Sequence, residues 1–188
     1  MNKCNRCRGI VVALKANFLI VEIESSDSND FIHNKYSDNI RLLCTKRSKL
    51  EYKGLSIDVG DNVFVEGIDY KNKRAVIFDV EPRKSFLKRP SVANVSLIGV
   101  CISVADPVFN SEQISRFLIT AESARIKPLI ILTKIDLIDK SDLNYFVNKL
   151  RLWGYESVAV SIKNVQGIDF LIERFRKTKL TVLAGPSG

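Results

Sequence analysis

Histidine is almost missing from this chain of 188 residues: the only one is His33, in a polar, Asx- and Ser-rich stretch that reads as a loop. A Ser/His/Asp relay therefore has no candidate base, and hydrolysis by an activated serine is excluded as a reading. Long apolar runs are missing too. No uninterrupted stretch approaches the roughly 18 residues of a bilayer span. The N-terminal Met1-Asn2-Lys3-Cys4-Asn5-Arg6-Cys7-Arg8 leads into a short strand-like run, not into a signal-type apolar segment with a cleavage site. The expectation is a cytoplasmic protein with no membrane association. Cysteine is sparse, at positions 4, 7, 44 and 101. Cys4 and Cys7 form a C-x-x-C, but zinc needs about four ligands. Only Cys44, Cys101 and His33 remain as soft ligands, without a second C-x-x-C or an H-x₃₋₅-H. The pair reads as reduced thiols, and no metal site is expected in this chain.

What is present is a two-part organisation. The first 80 or so residues carry strand patterns over 9–14, 18–23, 41–45, 62–69 and 74–80, rich in Val, Ile, Leu and Phe. Five short strands predict a small closed barrel of the oligonucleotide-binding (OB) kind. Residues 81–91 change character, because Pro82 and Pro90 bracket a basic stretch that reads as a solvated linker. Beyond it the rhythm is strand, helix, strand, helix. Strands are expected over 95–104, 128–132, 157–161 and 180–184, with helices capped by Asn110 and Ser141 and a third over 168–177. Ile114, Phe117, Leu118 and Ala121 form the packing stripe of the first helix. Tyr145, Phe146, Leu150, Trp153 and the stem of Lys149 form that of the second. Such alternation predicts an α/β domain with a mainly parallel sheet, whose ligands bind at the carboxyl ends of the strands.

Three candidate motifs fall at those ends. Thr133-Lys134-Ile135-Asp136 follows the second strand of this domain. A carboxylate there can accept two hydrogen bonds at once, matching N1–H and the exocyclic N2 amine of guanine, which adenine cannot offer. Lys134 can lay its methylene stem on the base, and Thr133 can tie the box to a phosphate loop. Ser161-Ile162-Lys163 follows the next strand, where backbone N–H groups can meet guanine O6. Gly185-Pro186-Ser187-Gly188 follows the last strand and reads as the opening of a phosphate-binding loop, G-x-x-x-x-G-K-[ST], without its Lys and Ser/Thr. The base-reading box precedes the phosphate turn, the reverse of the usual order, which points to circular permutation and to a missing portion. Taken singly, the first box has a strand-end salt bridge as its plain alternative, and each of the other two an ordinary turn.

With these boxes, the Glu81-Pro82-Arg83 to Arg89-Pro90-Ser91-Val92-Ala93-Asn94-Val95 junction and Ser115-Arg116-Phe117-Leu118, the chain resembles the ribosome small-subunit-dependent GTPase A (RsgA/YjeQ) family of circularly permuted GTPases. The resemblance implies residues 1–82 as an OB-like RNA-binding domain, 83–91 as a basic linker, and 92–188 as an incomplete permuted P-loop GTPase domain. It implies GTP with Mg²⁺ as ligand, hydrolysis stimulated by the 30S ribosomal subunit, contact with 16S rRNA, a monomer, and a role in late small-subunit maturation. By that resemblance the guanine site takes Thr133, Lys134, Ile135, Asp136, Ser161, Ile162 and Lys163, and the partial phosphate loop takes Gly185, Pro186, Ser187 and Gly188. The rRNA candidates are Arg41, Lys46, Arg47, Lys49, Lys53, Lys84, Lys88 and Arg89, drawn from a net charge of +8. Phe18 and Tyr52 read as core residues, with base stacking the alternative. The family's phosphate-loop Lys and Ser/Thr, switch regions, D-T-P-G box and C-terminal zinc domain are not in this sequence. No catalytic residue is therefore assigned here, Zn²⁺ is expected only in the missing domain, and the 188 residues alone are expected to be inactive. Thr133 for Asn and Ile162 for Ala are mild departures. The competing reading is a non-catalytic rRNA-binding module with a degenerate nucleotide domain.

Overall fold

The computed structural model describes residues 6–23, 40–52, 54–106 and 110–186. Cys4, His33, Lys53, Ser187 and Gly188, all named above, lie outside those residues. The chain divides into two units, Met1–Asn94 and Val95–Gly188.

In the first unit β1 (Cys7–Lys15), β2 (Phe18–Ile23), β3 (Ile40–Lys46), β4 (Asn62–Asp69) and β5 (Arg74–Val80) close into a barrel in the order β1-β2-β3-β5-β4, with α1 (Ser48–Tyr52) between β3 and β4. Neighbours are antiparallel except β3 and β5, which run parallel. Alternation sends Val21, Leu42, Cys44, Val63, Val65 and Ile77 inward, all with no exposure, and Leu50 of α1 joins their core. This is the five-stranded OB-like arrangement expected from the strand pattern. Phe18 and Tyr52 do not belong to its core: they are 43% and 92% exposed. Phe18 is the first residue of its strand, and Tyr52 the last of a helix too short to bury two faces.

The stretch 83–91 departs from the expected solvated linker. Phe86–Lys88 (β6) pairs antiparallel with Ser91–Ala93 (β7), and the hairpin belongs to the barrel's unit. Its order comes from long-range bonds. Arg83 donates from Nε to Asp61 Oδ1 at 2.8 Å and from Nη2 to Asp61 Oδ2 at 2.7 Å and Asp58 Oδ2 at 2.8 Å. Ala93 N–H donates to the Val59 carbonyl at 2.8 Å.

The second unit has a four-stranded sheet in the order β10-β9-β8-β11, from β8 (Leu97–Ser103), β9 (Lys127–Thr133), β10 (Ser157–Ala159) and β11 (Thr181–Ala184). All pairs are parallel. The connecting helices are α2 (Ser111–Ser123), α3 (Lys140–Leu152) and α4 (Ile168–Arg176). Leu97, Leu129, Ile131, Val158 and Val160 form one core face, against which Ile168, Leu171 and Phe175 of α4 pack. Ile98, Val100, Ile130 and Leu132, of opposite parity, are buried as well, so both faces are covered.

Asn110 caps α2 as its sequence signals, its Oδ1 accepting from Glu112 N at 2.9 Å and Gln113 N at 3.2 Å. Ile114, Leu118 and Ala121 are buried, while Phe117 is half-buried. At α3 the cap is Asp139 rather than Ser141. The Asp139 carboxylate accepts from Asp142 N at 2.9 Å, and the Ser141 hydroxyl donates to that same carboxylate at 2.8 Å. The α3 stripe differs too. Of its residues only Leu150 is buried, while Tyr145 is 61% and Trp153 39% exposed. Lys149 Nζ lies 5.7 Å from the Tyr145 ring centroid and 5.5 Å from that of Trp153, a cation–π arrangement that suits a solvated face.

Candidate functional site

The site is built at the carboxyl ends of β9 and β10, neighbours in the sheet. β9 ends at Thr133, whose backbone carbonyl accepts from Val104 N at 3.2 Å and whose Oγ1 donates to the Ile102 carbonyl at 3.2 Å. Thr133 thus ties the box to β8, not to the phosphate turn. Lys134 then turns the chain with φ 59° and ψ 35°, a left-handed conformation, opening a 3₁₀ turn over Ile135–Leu137. Its ammonium donates to the Asp106 carbonyl beyond β8. The lysine stem therefore bridges two strand ends, a partner the sequence pattern did not reveal. Ile135 is buried and plugs the turn into the unit, which leaves the neighbouring Asp136 half-buried and turned the other way.

Asp136 Oδ1 accepts a hydrogen bond from Ser161 Oγ at 2.6 Å. That bond is charge-assisted, and it joins the two boxes that the sequence placed 25 residues apart. The hydroxyl of Ser161 holds the Asp136 carboxyl below its ordinary value, helped by the positive charge of Lys163. Ser161 is fully buried and has few ways to move. Its N–H donates to Gln166 O and its carbonyl accepts from Gln166 N, both at 3.0 Å, and its Oγ also accepts from Asn164 N at 3.2 Å. Gly167, at φ 72°, closes this loop onto β10. Ile162 is 85% exposed and Lys163 is exposed, so that strand end presents backbone and charge rather than a packed surface.

The third box stands apart from this pair. Gly185 follows β11, which lies across β8 from β9. At about 4.8 Å per strand, β9 and β11 are about 10 Å apart. A Cβ on Gly185 would come within 2.4 Å of the Cys101 carbonyl of β8, so only glycine lets the backbone leave the sheet there. Pro186 then borders a groove of about 400 Å³ with Gln113, Arg116, Phe117 and Thr120 of α2.

The basic candidates of the barrel unit separate into two kinds. Arg41 lies on Glu22 at 2.9 Å and Arg47 on Glu66 at 3.0 Å. Lys46, Lys49, Lys84, Lys88 and Arg89 have no carboxylate partner among the described residues.

Comparison with known proteins places the chain in a family. The profile described as RsgA GTPase matches residues 80–188, more than half of the chain. The chain belongs to the RsgA GTPase family. The small ribosomal subunit biogenesis GTPase RsgA of Prochlorococcus marinus (strain NATL1A) is 66% identical over 187 residues, covering 100% of this chain and 60% of that protein. The chain thus spans about three fifths of the length of the curated relatives it matches. Among solved structures, YjeQ from Thermotoga maritima superposes with a TM-score of 0.81 at 32% identity, covering 97% of this chain and 61% of that one. YloQ, described as a circularly permuted GTPase, superposes with a TM-score of 0.80 at 26% identity, covering 98% of this chain and 61% of that one. In this family the box order read from the sequence is the order of a permuted domain.

Proposed function

We propose that this chain carries the guanine-reading half of the nucleotide site of a GTPase acting in small-ribosomal-subunit assembly, together with the RNA-binding barrel of that protein. The observation that carries the reading is the Asp136 carboxylate, fixed by buried Ser161 at the ends of adjacent parallel strands. With Oδ1 already oriented, the carboxylate keeps lone pairs to accept from two neighbouring N–H donors, as guanine provides. Thr133 and Ile135 set the backbone of this box, and Ser161 supplies the hydroxyl that orients Asp136, while Ile162 and Lys163 bring backbone N–H groups and a positive charge beside it. Gly185 and Pro186 begin the turn that would face the phosphates, continued by Ser187 and Gly188. The relatives named above as small ribosomal subunit biogenesis GTPases support a 30S partner and GTP as substrate.

Mg²⁺, when bound, would supply charge neutralisation to phosphoryl transfer, and a phosphate-loop Ser/Thr hydroxyl would hold it. The residues present here do not fit it, because the chain offers no phosphate-loop Lys or Ser/Thr. The 188 residues tested alone are accordingly expected to release no phosphate from GTP, with or without 30S subunits. The reading also carries a monomer that meets 16S rRNA in the cytoplasm through its barrel, and zinc only in the length of the relatives that this chain does not span.

The test is GDP binding to the complete protein and to its Asp136→Ala variant, with ADP as control. Each hydrogen bond to a charged group contributes about 1.5–3 kcal/mol. Loss of the two bonds that Asp136→Ala removes should therefore weaken GDP at least about 100-fold and leave ADP unchanged. Equal GDP affinity in both proteins would sink the assignment.

A further inference from the structure

We propose that the hairpin formed by β6 and β7 is a rigidly mounted basic finger that grips the phosphate backbone of structured RNA, and that Arg83, Asp61, Asp58 and Ser91 are the residues that position it. The inference rests on the reading of the barrel unit as RNA-binding.

The mount is a closed network between the hairpin and barrel residues 56–61. Besides its bonds to Asp61 and Asp58, Arg83 donates from Nη2 to the Ser56 carbonyl at 2.8 Å. Asp61, fully buried, also accepts from Asp58 N at 2.8 Å. Ser91 Oγ, on the second strand of the hairpin, donates to Asp58 Oδ1 at 2.7 Å, so β7 and the segment leading into β6 share Asp58 as a partner. Burial pushes the Asp58 carboxyl up, but the donors Ser91 and Arg83 outweigh it and hold it below the usual range. The Arg83 guanidinium stacks on the Phe86 ring at 4.3 Å. Asn94 fixes the base of the hairpin twice, donating from Nδ2 to the Gly60 carbonyl at 2.9 Å and accepting Lys84 N at 2.9 Å.

The outer side of the hairpin has a different character. Lys84, Lys88 and Arg89 are exposed, and no Asp or Glu occurs from Lys84 to Val92. Elsewhere on the barrel Arg6, Arg8, Arg41 and Arg47 each lie on a carboxylate, whereas Lys46 and Lys49, like the hairpin cations, do not among the described residues. The three hairpin cations have none among the described residues, so an incoming anion displaces only water and counterions. A flexible basic linker would lose backbone freedom on contact, about 1–2 kcal/mol per residue ordered. The network removes that cost before binding. The hairpin offers no plate for a base and no apolar patch for a protein: Leu87 is buried, Phe86 and Val92 are half-buried, and Phe86 is already covered by Arg83. What remains is charge on a fixed scaffold, which suits backbone phosphates and not base edges.

The experiment measures binding of the 188-residue chain to a 16S rRNA transcript, and to an unrelated structured RNA of equal length, between 50 and 200 mM salt. Neutralising Lys84, Lys88 and Arg89 together to Gln should reduce the slope of log K against log salt by about 2–3, at about 0.7–0.9 per phosphate contact, equally for both RNAs. Ser91→Ala, which keeps every charge and the Arg83–Asp61 pair, should lower affinity about threefold with little change of slope and unchanged far-UV circular dichroism. An unchanged slope in the triple variant, while the parent chain binds, would overturn the finger alone. A parent chain that binds neither RNA would overturn the RNA reading with it. A loss confined to 16S rRNA would mean base readout and overturn the phosphate assignment. So would retention on phosphatidylserine vesicles that the triple variant abolishes with RNA binding intact.

Discussion

Gly167 is the hinge on which the Asp136–Ser161 contact depends, and Gly167→Ala tests that dependence. Two terms contribute. The first is torsional: at φ 72° an alanine occupies left-handed space, costing about 1–2 kcal/mol. The second is steric, because the new Cβ would lie 2.1 Å from the Ala159 carbonyl oxygen. That carbonyl cannot retreat, since Ala159 pairs with Leu132 and Val160 N donates to Leu132 O at 2.8 Å. The loop must move instead, and its two reciprocal bonds between Ser161 and Gln166 are lost, at about 0.5–1.5 kcal/mol each. The total is about 2–5 kcal/mol. Gly154 separates the terms: it has φ 87°, but a Cβ there meets nothing within 4 Å, so Gly154→Ala carries the torsional cost alone. Thermal unfolding followed by the fluorescence of Trp153, the chain's single tryptophan, reports on this unit. At about 4–8 °C per kcal/mol for a unit of this size, Gly167→Ala should melt at least about 8 °C below the parent, and Gly154→Ala clearly less.

A second readout follows from charge. Ser161 holds the Asp136 carboxyl below its ordinary 3.8. A carboxyl lower in the folded than in the unfolded chain adds stability that is present above the unfolded value and lost as pH falls through the folded one. With Ser161 displaced, the Asp136 titration should rise toward 3.8, and the stability deficit of Gly167→Ala should narrow below about pH 4. If Gly167→Ala proves no more costly than Gly154→Ala, the claim that this glycine positions the site is wrong.

Arg83→Met should destabilise the barrel unit by about 3 kcal/mol, near the low end for breaking a buried pair because Arg83 is itself partly exposed. Adding Asp61→Asn should recover part of that by removing the unpaired charge, measured by urea unfolding; no recovery would assign the loss to the Phe86 stack instead. Cys44, whose thiol burial pushes up to about 11, should resist maleimide at pH 8 in the native chain and react after unfolding. Native labelling of Cys44 as fast as that of half-buried Cys7 would contradict the closed barrel core.

The sequence was most legible where local chemistry and burial agree. β2, β4 and β5 lie where alternation puts them, and Asn110 caps its helix, because those signals are complete within a few residues. The hairpin was missed because its strands are three residues each and its partners, Asp58, Asp61 and Val59, lie 22 or more residues away. Two prolines and four cations describe a linker equally well until those partners are known. Periodicity marked Tyr145 and Trp153 as an apolar stripe but could not say whether a protein neighbour or Lys149 covers them. Within the site, residue types were legible and their couplings were not. Asp136 could be read as a base-reading carboxylate, whereas its Ser161 donor and the Lys134 anchor on Asp106 depend on how strand ends are juxtaposed.

The sheet order has a consequence for synthesis. β8 is made first of the four strands and sits inside the sheet, but the neighbour on one of its edges is β11, made after β9 and β10. With the ribosome adding about 5–20 residues per second, β8, β9 and β10 can pair for seconds before β11 exists. During that interval Asp136 and Ser161 can already be joined, while the apolar β8 presents an open edge of unpaired backbone groups. On the proposed assignment, a chain in this order makes the residues for the base before the first residues of the phosphate turn. The arrival of β11 then covers that edge of β8, so a nascent chain stalled before residue 180 would be a natural client for chaperones.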